Sequence, residues 1–329
     1  MPIENNIDEV NLGYFHGGRT SILYRAYLYK EFKKENLNVV FISKNLHSNT
    51  WHNFSHENLS GISARATGLE LVDLLLSKKV ELATIGETAF IKKCSDGVPI
   101  VAIAELGFDH PKTSGHGIAL SKKIKDNKKI QLENIVWGTR RSSGGDDIFL
   151  KEFLLSKNIN LEKVKIISNI SDDQIEKKFV SGEITGAYLH LRNLRSLEKK
   201  GIVKLYSKLN WVNPELSHAL LVTTKENLLK RQNVYMKFLN AYKRQIQSEN
   251  SLPVSKKIKD NKKILYGKVD PFEIKANYKG MDLPNYREIP SVRIHLEKES
   301  QELLFKHKEI KTKINLERCI DNSLLQKNK

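Results

Sequence analysis

Two arginines, two serines and two glycines stand together in Thr139-Arg140-Arg141-Ser142-Ser143-Gly144-Gly145, between a β-type run at 134–138 and a helical one that begins at Ile148. Backbone N–H groups at a helix N-terminus and a guanidinium fork both bind oxyanions, so this loop is a candidate site for a sulfonate, phosphate or carboxylate. The plainer alternative is that Ser143 caps the helix while the arginines coat the surface. A second candidate follows the alternating run Val10 to Phe15, which carries Tyr14 and leads into His16-Gly17-Gly18-Arg19-Thr20. Its glycines permit a tight turn and Arg19 offers another planar fork, against an ordinary β-α turn with a solvent-facing arginine. A third is Gly86-Glu87-Thr88, where Thr88 can hydrogen-bond a ligand and Glu87 can hold an amine or act as a base. Helix capping with a favourable acid in the first turn accounts for the same pair. Finally, His190 and Arg192 follow the run 184–189 and share a face if that strand continues through them. His47, His52 and His56 lie in a polar stretch with no carboxylate or cysteine pattern to complete a metal site, so no metal and no cofactor are expected.

These loops need strands and helices to hold them, and the periodicities supply the same plan twice. In the first half the sequence predicts strands over 10–15, 38–42 and 80–85, with helices over 21–34 and 69–76. In the second half it predicts strands over 134–138, 164–167 and 184–189, with helices over 148–156 and 173–180. Short apolar runs at 98–104, 116–120 and 217–223 read as further strands, and 227–247 and 297–307 as helices. Strand-helix-strand crossovers join parallel strands, so the expectation is α/β: two similar doubly wound lobes, mainly parallel, with a cleft between them. Lobe 1 is expected over 8–105 plus 206–329, and lobe 2 over 106–205.

Composition bounds the function. The 329 residues carry 55 Lys+Arg against 38 Asp+Glu, a net charge of +17, and 40% are hydrophobic, enough for real cores. The excess is spread over lysine-rich runs such as 122–129 and its repeat at 256–263, which read as solvated faces and argue against a nucleic-acid partner. The longest apolar run, Val98 to Ala104, is far short of the roughly 20 residues that cross a bilayer. The acidic, polar start Met1 to Glu9 lacks an export pattern, so the chain as written reads as cytoplasmic, or as periplasmic or lipoprotein-anchored if a leader was removed. Cys94 and Cys319 can form at most one disulfide and match no metal or redox spacing.

Several segments in order carry a resemblance: 12–15, 32–40, 75–83, 96–104, 179–188 and 314–325. Together they are similar to type II substrate-binding proteins of ABC importers, in the group that binds alkanesulfonates, taurine and thiamine precursors. The resemblance implies a two-lobed clamp that closes on a small ligand by hinge motion, with an ABC permease as partner if the protein is exported. The expected ligand contacts are Tyr14, His16, Arg19, Glu87, Thr88, Thr139, Arg140, Ser142, Ser143, Gly144, His190 and Arg192.

Two enzyme branches of the same scaffold each demand residues that can be sought in this sequence. The thiamine-pyrimidine synthase pattern would place a lysine and a histidine where this chain has Ile85 and Ala89, and the later cysteine cluster is missing. The aryl-sulfinate desulfinase pattern is loosely met by His56 and Arg65, but its cysteine falls at about Gly17. The leading expectation is therefore a binding protein for a small anionic organic solute, of sulfonate, phosphate, carboxylate or pyrimidine type. The alternative is a cytoplasmic enzyme or biosynthetic accessory protein with His16, Glu87 and His190 as acid/base groups.

Overall fold

The computed structural model describes residues 7–17, 20–44, 50–55, 67–108, 116–124, 130–140, 144–208, 219–253, 255–257, 260 and 285–326, leaving aside the side chains of Asp172, Asp173, Arg192 and Lys208. Strands β1 (Asp8–Gly13), β2 (Leu37–Lys44), β3 (Trp51–Asn53), β4 (Leu82–Ile85), β5 (Ile100–Glu105) and β11 (Leu220–Thr224) form one six-stranded sheet in the order β3-β2-β1-β4-β11-β5. The other sheet has five strands, β6 (His116–Ser121), β7 (Val136–Gly138), β8 (Lys165–Ile167), β9 (Gly186–His190) and β10 (Val203–Lys208), in the order β10-β6-β9-β7-β8.

The strand-helix-strand pairs β1–β2, β1–β4, β7–β8 and β7–β9 are parallel, as crossover connections require. Both sheets are nonetheless mixed, because β11 inserts antiparallel between β4 and β5, and β6 pairs antiparallel with β9 and β10. Those strands stand next to the two crossings between the sheets in the sequence and run opposite to their neighbours. Each sheet is covered by helices: α1 (Ser21–Leu28), α2 (Gly68–Leu76) and α3 (Glu87–Ser95) in the first half, α4 (Gly145–Ser156), α5 (Asp172–Ser181) and α6 (Leu191–Lys199) in the second. A return leg adds α7 (Lys225–Lys230), α8 (Gln232–Ser251), α9 (Ile294–Lys306) and α10 (Ser323–Gln326).

Local chemistry sets the boundaries. Thr67 Oγ1 accepts from the Glu70 N–H (3.1 Å) and Glu70 accepts from the Thr67 N–H (2.8 Å), a capping box that starts α2 and turns Leu71, Val72 and Leu75 inward. α1 is shorter than the periodicity predicts: it stops at Leu28, and Lys30 then takes a left-handed conformation (φ 61°), so the chain turns before β2. The predicted 227–247 helix is two, broken at Arg231, whose guanidinium leaves the helix line to pair with Glu81 and donate to the Glu9 carbonyl (2.8 Å).

Helix α8 buries Tyr235, Phe238, Leu239, Tyr242 and Ile246 against the six-stranded sheet, with the Tyr242 hydroxyl donating to the Glu105 carbonyl at 2.8 Å. A second apolar cluster runs from one half into the other, joining Leu71, Ile85 and Phe90 to Trp137, Ile148, Phe149 and Tyr188. The C-terminal segment closes the back of this junction. There Lys306 and His307 reach Glu152 of α4 (2.7 and 2.6 Å), and Glu309 lies between Lys92 of α3 and Lys151 of α4 (3.2 and 3.5 Å).

The middle of the five-stranded sheet is packed without slack. A Cβ on Gly186 would stand 2.5 Å from Ile135 Cγ2 and 2.7 Å from the ring of the fully buried Trp137. Gly186→Ala is expected to destabilise the protein by about 1–3 kcal/mol through overpacking, read as a lower urea midpoint at unchanged slope. An unchanged midpoint would show that the strand can shift to admit the methyl group.

Candidate functional site

Arg140 lies just past the end of β7, where the chain turns toward α4. Its guanidinium makes a two-pronged pair with Asp146 in the first turn of α4, Nε to Oδ2 at 2.6 Å and Nη2 to Oδ1 at 3.0 Å. Nη2 also stands 2.9 Å from Nε2 of His190, the last residue of β9. The planar fork suits a carboxylate taken side-on, a geometry that lysine cannot reproduce. Burial opposes ionisation of the Asp146 carboxyl, but the adjoining Arg140 charge and hydrogen bonds, with smaller contributions from His190 and His116, outweigh it and hold the group down to about 2.

His190 is backed by a residue that sequence reasoning did not select. The antiparallel register of β6 and β9 places His116 directly opposite His190, with ring centroids 4.1 Å apart. His116 also stacks on Tyr188, at 5.1 Å with planes 19° apart, and Tyr188 packs against Phe149 of α4. His116 and Tyr188 are buried and His190 is half-buried, so the imidazole facing Arg140 stands on an aromatic stack. Pairing across antiparallel strands leaves no trace in one-dimensional spacing, and the only sequence signal for His116 is its position opening an apolar strand.

The helix that receives this loop begins cleanly. Gly144 is the N-cap of α4 in an extended conformation, and its carbonyl accepts from the Asp147 and Ile148 N–H groups, both at 3.1 Å. Asp146 and Asp147 are the acids of the first turn, and each is neutralised locally, Asp146 by Arg140 and Asp147 by Lys151 at 2.6 Å. With both carboxylates paired, the positive end of the helix dipole is not cancelled by unpaired acid.

Thr139 is fully buried and serves the loop's frame: its N–H donates to the Ile167 carbonyl, its carbonyl accepts from the Ile170 N–H, and its hydroxyl donates to Ser168 Oγ at 3.2 Å. Glu87 and Thr88 open α3 behind Gly86, Glu87 buried and Thr88 half-buried. Glu87 Oε1 lies 3.9 Å from where a Cβ on Gly145 would be, so the N-termini of α3 and α4 approach one another. Glu87 also belongs to a buried acidic neighbourhood. Burial above all, and then the nearby carboxylates of Glu87 and Glu105, push the Glu297 carboxyl well up, while Arg293 opposes them.

On the first sheet, Tyr14 follows β1 and is wholly buried, its ring edge-on to Phe41 (5.2 Å) and Phe54 (5.0 Å), so burial pushes its phenol up. His16 lies against Phe54 at 5.0 Å and 6.1 Å from Tyr14. Thr20 Oγ1 donates to the Phe15 carbonyl (2.7 Å), bringing the turn back on itself.

The structure thus brings Arg140, Gly144 and His190 together, adds Asp146 and His116, and places Glu87 and Thr88 at the facing helix end. Strand β9 ends at His190 and α6 begins at Leu191, so Arg192 falls in a helical first turn and does not share a strand face with His190. Arg19, Ser142, Ser143, His47, His56 and Arg65 lie outside the described residues. Among the described residues no group of three His, Cys, Asp or Glu side chains is arranged to hold a metal, and no helix is long and apolar enough to cross a membrane. A surface cavity at the β2–β3 edge, lined by Trp51, His52 and Lys79 among others, shares no residue with the Arg140 cluster.

The NMT1/THI5-like family pattern matches residues 57–253, more than half of the chain. No significant match is found among proteins of curated function. Solved structures match over almost the full length. The periplasmic aliphatic sulphonate-binding protein SsuA of Escherichia coli is 11% identical with a TM-score of 0.69, covering 97% of this chain and 99% of that one. The periplasmic nitrate-binding protein NrtA of Synechocystis PCC 6803 is 12% identical at 0.68, covering 98% and 88%. The ligand-binding component of an ABC-type import system from Staphylococcus aureus, with zinc bound, is 16% identical at 0.70, covering 98% and 99%. At these identities the likeness is one of fold, and it agrees with the resemblance read from the sequence.

The depressed Asp146 carboxyl fixes a pH dependence. A group whose folded value lies below its unfolded one contributes stability above the unfolded value, near pH 4, and loses it as pH falls toward 2. Asp146→Asn is expected to cost on the order of 2 kcal/mol at pH 6, with the gap to the parent narrowing below pH 4. Urea unfolding of both proteins between pH 6 and pH 3 measures it, and a gap independent of pH would mean that the pair contributes no charge-dependent stability.

Proposed function

The chain belongs to the NMT1/THI5-like family, and on that premise we propose that it is a solute-binding protein that takes a small anionic organic molecule between its two α/β lobes. The observation that carries this reading is the Arg140 guanidinium held at the start of α4 by Asp146 and His190. Two kinds of donor converge there, the guanidinium and the first-turn N–H groups of α4, the combination that recognises an oxyanion, while the His190 Nε2 accepts from Arg140 and holds the fork in place. The Asp146 pairing fixes the guanidinium plane beforehand, so ordering that side chain costs little when a ligand binds. Glu87 and Thr88 at the N-terminus of α3 form the opposite wall in this reading, and Arg19, Ser142 and Ser143 are kept as proposed ligand contacts on their sequence alone.

Binding proteins of this architecture close by hinge motion, and closure of the two lobes on the ligand is part of this reading. An ABC permease is the implied partner, and an extracytoplasmic location follows from that role. The fold neighbours include proteins described as sulphonate- and nitrate-binding, which supports an oxyanion as cargo.

The test is a thermal-shift screen with methanesulfonate, taurine, nitrate, methylphosphonate, short carboxylates and aminopyrimidines, followed by calorimetry on any hit. At least one anionic class is expected to raise Tm, and Arg140→Ala to weaken its Kd at least tenfold, the loss of a charge-assisted hydrogen bond. Arg140→Lys is expected to recover only part of the affinity, because the fork is lost while the charge stays. The reading fails if no anion stabilises the protein, or if Arg140→Ala leaves the affinity of a stabilising anion unchanged. Conversion of a bound compound into product would instead make it an enzyme on the same scaffold.

A further inference from the structure

The chain contains two cysteines, far apart in sequence, and the fold sets them side by side. Cys94 lies in the last turn of α3 and is buried in the apolar cluster, whereas Cys319 is half-exposed in the C-terminal segment, packed against that same cluster. Both backbones are pinned. The Cys319 carbonyl accepts from the Ala102 N–H of β5 (2.9 Å) and its N–H donates to the Leu316 carbonyl (2.9 Å). Next to Cys94, the Ser95 hydroxyl donates to the Thr312 carbonyl at 3.2 Å, joining the end of α3 to the same segment. The two thiols share a hydrogen bond, and the Lys225 ammonium at the start of α7 adds positive charge beside Cys319.

We propose that Cys94 and Cys319 form a reversible disulfide, with the half-exposed Cys319 as the thiol that reacts first and the buried Cys94 as its resolving partner. A reactive cysteine needs access to solvent, a hydrogen-bond donor and nearby positive charge, and Cys319 has all three. The hydrogen bond from Cys94 is the largest influence on its thiol. Burial opposes that influence and Lys225 adds to it, so the Cys319 thiol comes down to about 7, while the hydrogen bond to Cys319 and burial push Cys94 up.

With a peroxide as oxidant the step balances. The Cys319 thiolate attacks one peroxide oxygen, forming an S–O bond as the O–O bond breaks, and the departing hydroxide takes up the proton released from Cys319 to become water. The Cys94 sulfur then attacks the sulfenic sulfur of Cys319, forming the S–S bond as the S–O bond breaks, and the second hydroxide leaves as water with the Cys94 proton. Two thiols lose two electrons, one hydrogen peroxide gains them, and two waters result. A reducing thiol returns the pair by exchange. The bond would fasten the C-terminal end of α3 to the closing segment, while the other end of α3 presents Glu87 and Thr88 to the start of α4.

The experiment treats the full chain with hydrogen peroxide and follows free thiols, intact mass and peptide linkage. Two free thiols are expected to fall to none, the mass to drop by about 2 Da, a peptide joining Cys94 to Cys319 to appear, and dithiothreitol to restore the starting state. Tm of the oxidised form is expected to rise by several degrees and to return on reduction. Cys319→Ser should slow peroxide consumption by at least tenfold, while Cys94→Ala, which keeps the buried site apolar, should leave a Cys319 sulfenic acid trappable by dimedone. The proposal is overturned if both thiols survive excess peroxide, if Cys319 is driven to sulfinic acid while Cys94 stays free, or if the only disulfide formed joins two copies of the chain.

Discussion

The two-pronged pair between Arg140 and Asp146 is the constraint from which the rest of the site follows. It spans the turn from β7 into α4, so the direction of the helix and the plane of the guanidinium are set by one interaction. His190 meets the same guanidinium from the neighbouring strand, and its own position depends on the β6–β9 register that sets His116 behind it. A strand pairing, a helix start and an ionic fork are thereby made interdependent. Half-buried ion pairs of this kind contribute more to geometry than to net stability, since most of the Coulomb gain offsets desolvation.

Helix α4 carries that geometry outward. Its first turn holds Asp146, its inner face places Ile148 and Phe149 in the apolar cluster shared by both halves, and its outer face offers Lys151 and Glu152 to the C-terminal segment. The lobes therefore meet through a rigid rod that touches the candidate site at one end and the closing segment further along. A change in the angle between the sheets repacks contacts on this helix among others, because close-packed interiors switch between arrangements more readily than they deform.

Most of the architecture was legible in the sequence because periodicity and punctuation agreed. Alternating apolar runs marked the strands, and glycines followed by a helical run marked the loop at 139–145. The site was half legible. Arg140 and Gly144 could be found because a strand-to-helix turn with arginines has a local signature. Asp146 was hidden in plain sight as an ordinary first-turn acid, its role visible only once the guanidinium is seen to turn back on it. His116 could not be found, since its claim rests on lying opposite His190 across an antiparallel pair. The length of α1 was overestimated for a related reason: apolar spacing continues past Leu28 although Lys30 adopts a left-handed backbone that ends the helix. The face shared by His190 and Arg192 depended on a strand continuing where a helix begins.

Strand β11 has a consequence for the order in which the molecule is made. The five-stranded sheet is built wholly from residues 116–208, so it can form as soon as that stretch is available. The six-stranded sheet stays split, with β4 and β5 unjoined, until residues 220–224 arrive to fill the gap between them. A chain emerging from the ribosome therefore completes its middle before its beginning. Until then the partial sheet β3-β2-β1-β4 and the lone strand β5 present unpaired inner edges, and that interval is when the nascent chain is most exposed to mispairing and most in need of a chaperone.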